Sequence, residues 1–171
     1  MAKEKTYNKI VVVDEYDNII GAEMMLDAIE KGLIRSASRV YVFSESGKVL
    51  IQRRSKNVLK PLLLDQSAAG HVDEGETRLE AGLRELEEET GIKGRELTLI
   101  ADSFPSPGFF NAVYKVVVPD NIALIPEEEE IDELMWLSVS ELDTLVASES
   151  DKCTPSLIDS WQQLRDKLIY T

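Results

Sequence analysis

Residues 70–92 read GHVDEGETRLEAGLRELEEETGI. Glu85, Glu88 and Glu89 stand three and four residues apart, a spacing that puts side chains on one face of a helix. Leu79, Leu83 and Leu86 follow the i, i+4, i+7 spacing of a stripe that packs on a core. The pattern predicts a helix with one face to bury and another that gathers negative charge. Like charges at i, i+4 oppose helix formation. A hard divalent cation with oxygen ligands removes that cost. Thr77 and Glu80 fit a capping box, so the helix starts there. Gly91 suits the left-handed position just past its end. Gly70 and Gly75 in the preceding turn let backbone approach whatever the carboxylates hold. Arg84 lies one turn before Glu88 and is placed to pair with it. For the three glutamates taken alone, a solvated acidic face with an ion pair is the alternative.

They do not stand alone. Gly70, Glu76, Arg84, Glu85, Leu86, Glu88, Glu89, Gly91 and Ile92 fill all nine specified positions of the pattern G-x5-E-x7-R-E-U-x-E-E-x-G-U, where U is bulky and aliphatic. The stretch resembles the Nudix box. That resemblance implies a strand–loop–helix within a Nudix-type α/β/α sandwich with a mixed sheet. It implies binding of Mg²⁺ or Mn²⁺ and cleavage of a diphosphate linkage, usually in a nucleoside diphosphate derivative. By the same resemblance Glu85, Glu88 and Glu89 are metal ligands. The base that activates water is one of them, Glu88 first, or a loop acid beyond the box. A backbone carbonyl near Ala69 and Gly70 completes the shell, and Arg84 and Glu76 are the orienting pair.

Length fits one domain over residues 1–171, with a strand and helix extension over about residues 1–36 packed on it. A hydrophobic share of 43% is that of a globular protein. The formal net charge is −13, which argues against nucleic acid or an anionic membrane as partner. An anionic substrate must then be received by a bound cation or a local basic cluster. The expected partner is a small-molecule diphosphate, and the chain is compatible with a homodimer. Cys153 is the single cysteine, which excludes an internal disulfide and fits a reducing cytosol. The start, MAKEKTYNKI, lacks the apolar run of a signal peptide, so the cytoplasm is the expected location.

Along the chain, residues 9–13 read as a strand and DEYDN as a turn. Residues 22–31 have helical composition, ending at Gly32. RVYVFS and VLIQR form a hairpin across the turn ESGK, and SAAG is the strand that feeds the box. Residues 96–104 read as a strand broken by Pro105, Pro107 and Gly108, a loop placed to close over the site. FFNAVYKVVV is a further strand, LMWL a short one, and helices follow over residues 141–147 and 155–169. The acidic run at residues 127–130 reads as a solvated loop or as the source of the loop acid. The mixed order of elements indicates α/β with helices on both faces of a mixed sheet.

Arg53 and Arg54, with Lys56 nearby, form a cationic group in an acidic chain. Arg53 is a candidate phosphate clamp, or edge-strand charge that blocks aggregation. His71, the only histidine, follows Gly70 and is a candidate substrate contact, or an ordinary hydrogen-bonding loop residue. Phe109 and Phe110 are placed to stack on a base. Trp136 and Trp161 read as core.

KIVVVDEYDNIIG, RVYVFSESGKVLIQRR and DQSAAGHV are similar to the isopentenyl-diphosphate isomerase branch of the superfamily. The isomerase pattern has a catalytic cysteine where this chain has Ala69. Its metal histidine after the first helix falls in the neighbourhood of Ile34 or Arg35. The complete box and these absences favour a hydrolase on an isomerase-like scaffold. A non-catalytic binding module would be expected to have lost box acids, and none is lost.

Overall fold

The computed structural model describes residues 8–171. The chain runs β1 (Lys9–Val13), β2 (Ile19–Met24), α1 (Met25–Glu30), β3 (Ile34–Ser44), β4 (Val49–Arg54), β5 (Leu64–Asp65) and β6 (Ala68–His71). It continues through α2 (Arg78–Thr90), β7 (Thr98–Ser106), β8 (Phe109–Val118), β9 (Ile131–Leu137), α3 (Val139–Ser148) and α4 (Pro155–Tyr170). The result is an α/β sandwich with one mixed nine-stranded sheet.

The strand β3 organises that sheet. Along one edge it pairs in parallel with β8, from Arg35 opposite Phe109 to Ser44 opposite Val118. Its other edge is shared by three antiparallel strands in turn. β1 takes Ile34 and Arg35, β6 takes residues 37–40, and β4 takes Phe43. β6 pairs with β3 alone among the described strands. A strand with one unpaired edge offers backbone groups to whatever approaches it. Here the approaching element is α2.

Alternation along β3 sorts the core into two layers. Val40 and Val42 face one side, where they pack with Leu86 of α2, Leu50, Ala112 and Tyr114. Tyr41 and Phe43 face the other side, against Trp161 and Leu157 of α4 and Leu142 of α3. The Tyr41 and Trp161 rings lie 5.8 Å apart, and the Tyr41 hydroxyl meets Ser160 at 2.6 Å. Arg78, at the start of α2, donates to both Asp17 oxygens, to Ser36 Oγ and to the Asp102 carbonyl. That one side chain ties the β1–β2 turn and β7 to the beginning of the box helix.

Several expectations need correction. Residues 22–31 are not one helix. β2 continues to Met24, because its backbone pairs with β1 through Lys9 opposite Met24. Only Met25–Glu30 is helical. Leu79 and Leu83 do not form a buried stripe with Leu86, for they are 44% and 37% exposed. The buried side of α2 is Ala81, Gly82, Glu85, Leu86, Glu89 and Thr90. The helix is turned so that its small residues, and two of its carboxylates, meet the sheet. Pro105 does not break its strand. It pairs with Phe110, and β7 pairs with β8 alone, so the missing N–H costs no ladder bond at that edge. The supposed closing loop is a tight turn at Pro107 and Gly108, with Gly108 in the left-handed region at φ 82°.

Candidate active site

The helix α2 begins as its local sequence dictates. The Thr77 side chain accepts from Glu80 N at 3.1 Å, and Glu80 accepts from Thr77 N at 3.0 Å. It ends on Gly91 at φ 77°. Between these caps the helix presents its carboxylates to the unpaired edge of β6. Glu85 and Glu89 are each 4% exposed. Glu89 Oε2 accepts from Gln52 Nε2 at 2.6 Å and from the Ala69 backbone N–H at 3.1 Å. Gln52 is itself 2% exposed and also donates to the Ser67 carbonyl. Glu85 lies against Gly70 so closely that a Cβ there would fall inside its carboxyl group.

Arg84 binds this arrangement together. Its Nε and Nη2 donate to the two Glu76 oxygens at 2.7 and 2.9 Å. Nη2 also donates to the His71 carbonyl at 3.0 Å, and Nη1 to Glu85 Oε1 at 2.6 Å. Glu88 Oε2 lies 3.5 Å from the same Nη1. One guanidinium therefore joins the β6 backbone, the turn and two helix carboxylates. The Glu76 hydrogen bonds, ahead of the opposing effect of burial, hold Arg84 above its usual range. Burial would raise Glu76, but Arg84 and the Asp73 N–H outweigh it and hold the carboxyl below its usual range.

No group of three or more His, Cys, Asp or Glu side chains among the described residues converges into a ready-made metal site. The helix carboxylates are held instead by Arg84, Gln52 and the Ala69 N–H. The donor set still fits a hard cation, because it is made of carboxylate oxygens beside the side-chain-free backbone of Gly70. His71 does not join it. Gly70 faces α2, so the next residue along the strand faces away.

On that far side His71 meets Phe109, with ring centroids 5.5 Å apart, and Arg35 Nη1 lies 3.4 Å from His71 Nε2. Burial first, then the charges of Arg35, Arg39, Arg54 and Arg84, push the His71 imidazole down to about 3. It is neutral at pH 7. Phe109 is not open for stacking on its own: the Arg35 guanidinium sits 4.1 Å above its ring and that of Arg39 5.1 Å away. Arg53 is drawn elsewhere, into ion pairs with Glu133 at 2.5 Å and Asp132 at 3.9 Å. Its neighbour Arg54 pairs with Asp65 at 3.3 Å and lies within the field of Arg39 and His71.

Four residues at or near this site escaped the sequence reading: Gln52, Arg35, Arg39 and Asn111. Gln52 had one signal, a polar side chain alternating with Ile51 on a buried strand. Arg35 and Arg39 share a face as positions i and i+4 of β3, a signal that becomes readable only once the strand is known to begin at Ile34.

The sequence profile of the NUDIX domain matches residues 33–157. The chain is 31% identical over 160 residues to an uncharacterised Nudix hydrolase of Pseudomonas aeruginosa, covering 91% of this chain and 90% of that one. It is 30% identical over 106 residues to an ADP-ribose pyrophosphatase of Bacillus subtilis, covering 62% of this chain and 57% of that enzyme. It is also 30% identical over 177 residues to isopentenyl-diphosphate delta-isomerase 2 of Homo sapiens, covering 86% of this chain and 78% of that one. In fold it is similar to a crystal structure of a Deinococcus radiodurans protein, with TM-score 0.75 at 24% identity over 95% of this chain and 99% of that one. The chain belongs to the NUDIX domain family, and with its box complete it is an enzyme of the Nudix hydrolase type.

Proposed function

We propose that this enzyme is a Mg²⁺- or Mn²⁺-dependent pyrophosphohydrolase that cleaves a diphosphate linkage in a nucleoside diphosphate derivative or a related small molecule. The supporting observation is the burial of Glu85 and Glu89 at the edge of β6, with the Glu85 carboxyl lying directly against Gly70. Glu85, Glu88 and Glu89 would hold the cation. When bound, the cation neutralises phosphate charge and lowers the pKa of water. Gln52 and the Ala69 N–H orient Glu89, and Arg84 orients Glu85. Glu88, with its side chain 32% exposed, is the carboxylate best placed to take a proton from water. The reading carries one domain over residues 1–171, a cytoplasmic location and no nucleic-acid partner. It is compatible with a homodimer. Among the described residues, no helix is long and apolar enough to cross a membrane.

The test is a screen of nucleoside di- and triphosphates, nucleotide sugars, dinucleotides and dinucleoside polyphosphates with Mg²⁺. Phosphate release is read with and without added phosphatase. Hydrolysis of at least one of them is the expected result, and hydrolysis of none overturns the reading.

The isomerase-like relatives raise a second reading, and Ala69 opposes it. Isomerisation needs a proton delivered to one carbon and taken from another, and a methyl group does neither. General acid–base groups typically supply ~10²–10⁴-fold each. Isopentenyl diphosphate is therefore expected to remain unconverted. Formation of dimethylallyl diphosphate at an enzymatic rate, abolished by Glu85→Gln, would revive the isomerase.

Arg84→Ala is expected to lower kcat by about 10- to 100-fold, as loss of a group that orients metal ligands does. Glu87→Gln is expected to change little, because Glu87 is exposed on the opposite side of α2. Equal losses from the two would contradict the roles given to Arg84 and to this helix face.

A further inference from the structure

Two arginines on the sheet face away from α2, Arg39 buried and Arg35 half-buried, have no ion-pair partner among the described residues. The chain has 32 acidic and 19 basic residues, so carboxylates are plentiful. Yet neither Arg35 nor Arg39 forms an ion pair with any described residue. Arg39 is 8% exposed. Its Nε donates to Asn111 Oδ1 at 2.9 Å, and its terminal nitrogens donate to no described residue. The Arg35 Nε is buried without a hydrogen-bond partner, and its Nη1 has only the neutral His71 imidazole, at 3.4 Å.

The carboxylates whose charge reaches Arg39 are already engaged. Asp65 holds Arg54 and the Thr154 hydroxyl, and Glu89 holds Gln52 and the Ala69 N–H. Phe109 supports both guanidinium groups through its ring but cancels no charge. Burial first, then the charge of Arg39, holds Arg35 below its usual range. A buried cation left unpaired is strongly unfavourable. Two such forks side by side match the oxygens of a phosphate group.

Register brings this pair to the active centre. Arg35, Ala37 and Arg39 share a face of β3, with His71 opposite Ala37 and Ala69 opposite Arg39. Ala37, between the two arginines on β3, and Ala69 of β6 carry only methyl groups. His71 directly follows Gly70, whose Cα lies against Glu85, and its carbonyl is held by Arg84. His71 thus links the arginine pair, through its ring, to the box residues, through its carbonyl.

We propose that Arg35 and Arg39, with Asn111 and His71 positioning them, form a phosphate subsite that takes a phosphate monoester carried by the substrate, distinct from the carboxylates of the box. The assignment to the substrate rests on the hydrolase reading above. Substrates bearing a second phosphate away from the scissile diphosphate are then favoured over those that end in a neutral group.

The test separates this subsite from the metal chemistry. The full chain is titrated in EDTA with orthophosphate and with ribose 5-phosphate, by calorimetry and melting temperature. Both are expected to bind, with the affinity reduced at least about tenfold by Arg35→Gln and by Arg39→Gln, as for a lost charged hydrogen bond. Glu85→Gln is expected to leave phosphate binding in place. Arg35→Lys keeps the charge and guards against a folding defect, and it should retain part of the affinity. Absence of binding by the parent protein, or binding indifferent to both arginines, overturns the subsite. Binding of orthophosphate with refusal of ribose 5-phosphate overturns its assignment to the substrate. Because no metal or turnover is involved, these outcomes are independent of whether any diphosphate is hydrolysed.

Discussion

The double variant Glu85→Gln, Glu89→Gln is expected to lose hydrolysis and to lose the rise in melting temperature that Mg²⁺ is expected to give the parent protein. A ligand that binds only the folded state stabilises it by mass action, about 2.7 kcal/mol at a concentration 100 times Kd. Both carboxylates are buried at the edge of β6, where water cannot replace the charge they supply. Glutamine is close in shape, so the Gln52 and Ala69 N–H contacts of residue 89 keep an oxygen to meet. Arg84 keeps its two bonds to Glu76. The variant should therefore fold. In EDTA its melting temperature should stay within a few degrees of the parent's, while kcat/KM falls by at least on the order of 10²–10⁴-fold. A melting-temperature titration with Mg²⁺ and with Mn²⁺ checks the first half. An undiminished shift in the double variant would place the cation elsewhere and remove the basis of the mechanism.

The sequence revealed what local chemistry decides. Thr77, Glu80 and Gly91 fix both ends of α2 because each acts on backbone within a turn of itself. β1, the β3–β4 hairpin and β8 were legible from β-branched runs and turns. The phase of α2 was not. Leu79 and Leu83 are the more hydrophobic side chains, yet Glu85 and Glu89 are the more buried. Burying a carboxylate is tolerable only with donors, and the donors for Glu89 come from Gln52 and Ala69, 37 and 20 residues away. Hydrophobic periodicity carries no information about them. The upstream part of β3 was missed for a similar reason. IRSAS is weakly apolar, and it is extended because β8 runs beside it in parallel, with Arg35 opposite Phe109. With that segment unassigned, Arg35 and Arg39 could not be seen to share a face. Pro105 misled because the rule against proline in strands weakens at a sheet edge, and edges are not visible in one sequence.

Gly70→Ala should cost nearly as much activity as removing a ligand, although it adds one methyl group. The position is not protected by an unusual backbone angle, since Gly70 is not among the glycines with positive φ. What protects it is space: the added Cβ would occupy the Glu85 carboxyl. Glu85 cannot simply step aside, because it is 4% exposed and its Oε1 is held by Arg84 at 2.6 Å. Either the carboxyl rotates off the site or α2 lifts from β6. Overpacking of this kind costs about 1–3 kcal/mol of stability. Misplacing a reacting or positioning group by about 1 Å costs on the order of 10²-fold in rate. Gly75→Ala is the contrast. Nothing lies within 4 Å of a Cβ there, but φ is 84°, so the penalty is backbone strain of about 1–2 kcal/mol with the Mg²⁺ shift intact. A double-mutant cycle decides whether the clash is the cause. With Glu85→Ala in the background, the carboxyl is gone and Gly70→Ala should become milder by at least about 1 kcal/mol, a coupling expected of residues in contact. If Gly70→Ala costs the same stability with either residue at position 85, the close approach of β6 to the box helix is not what the glycine is for.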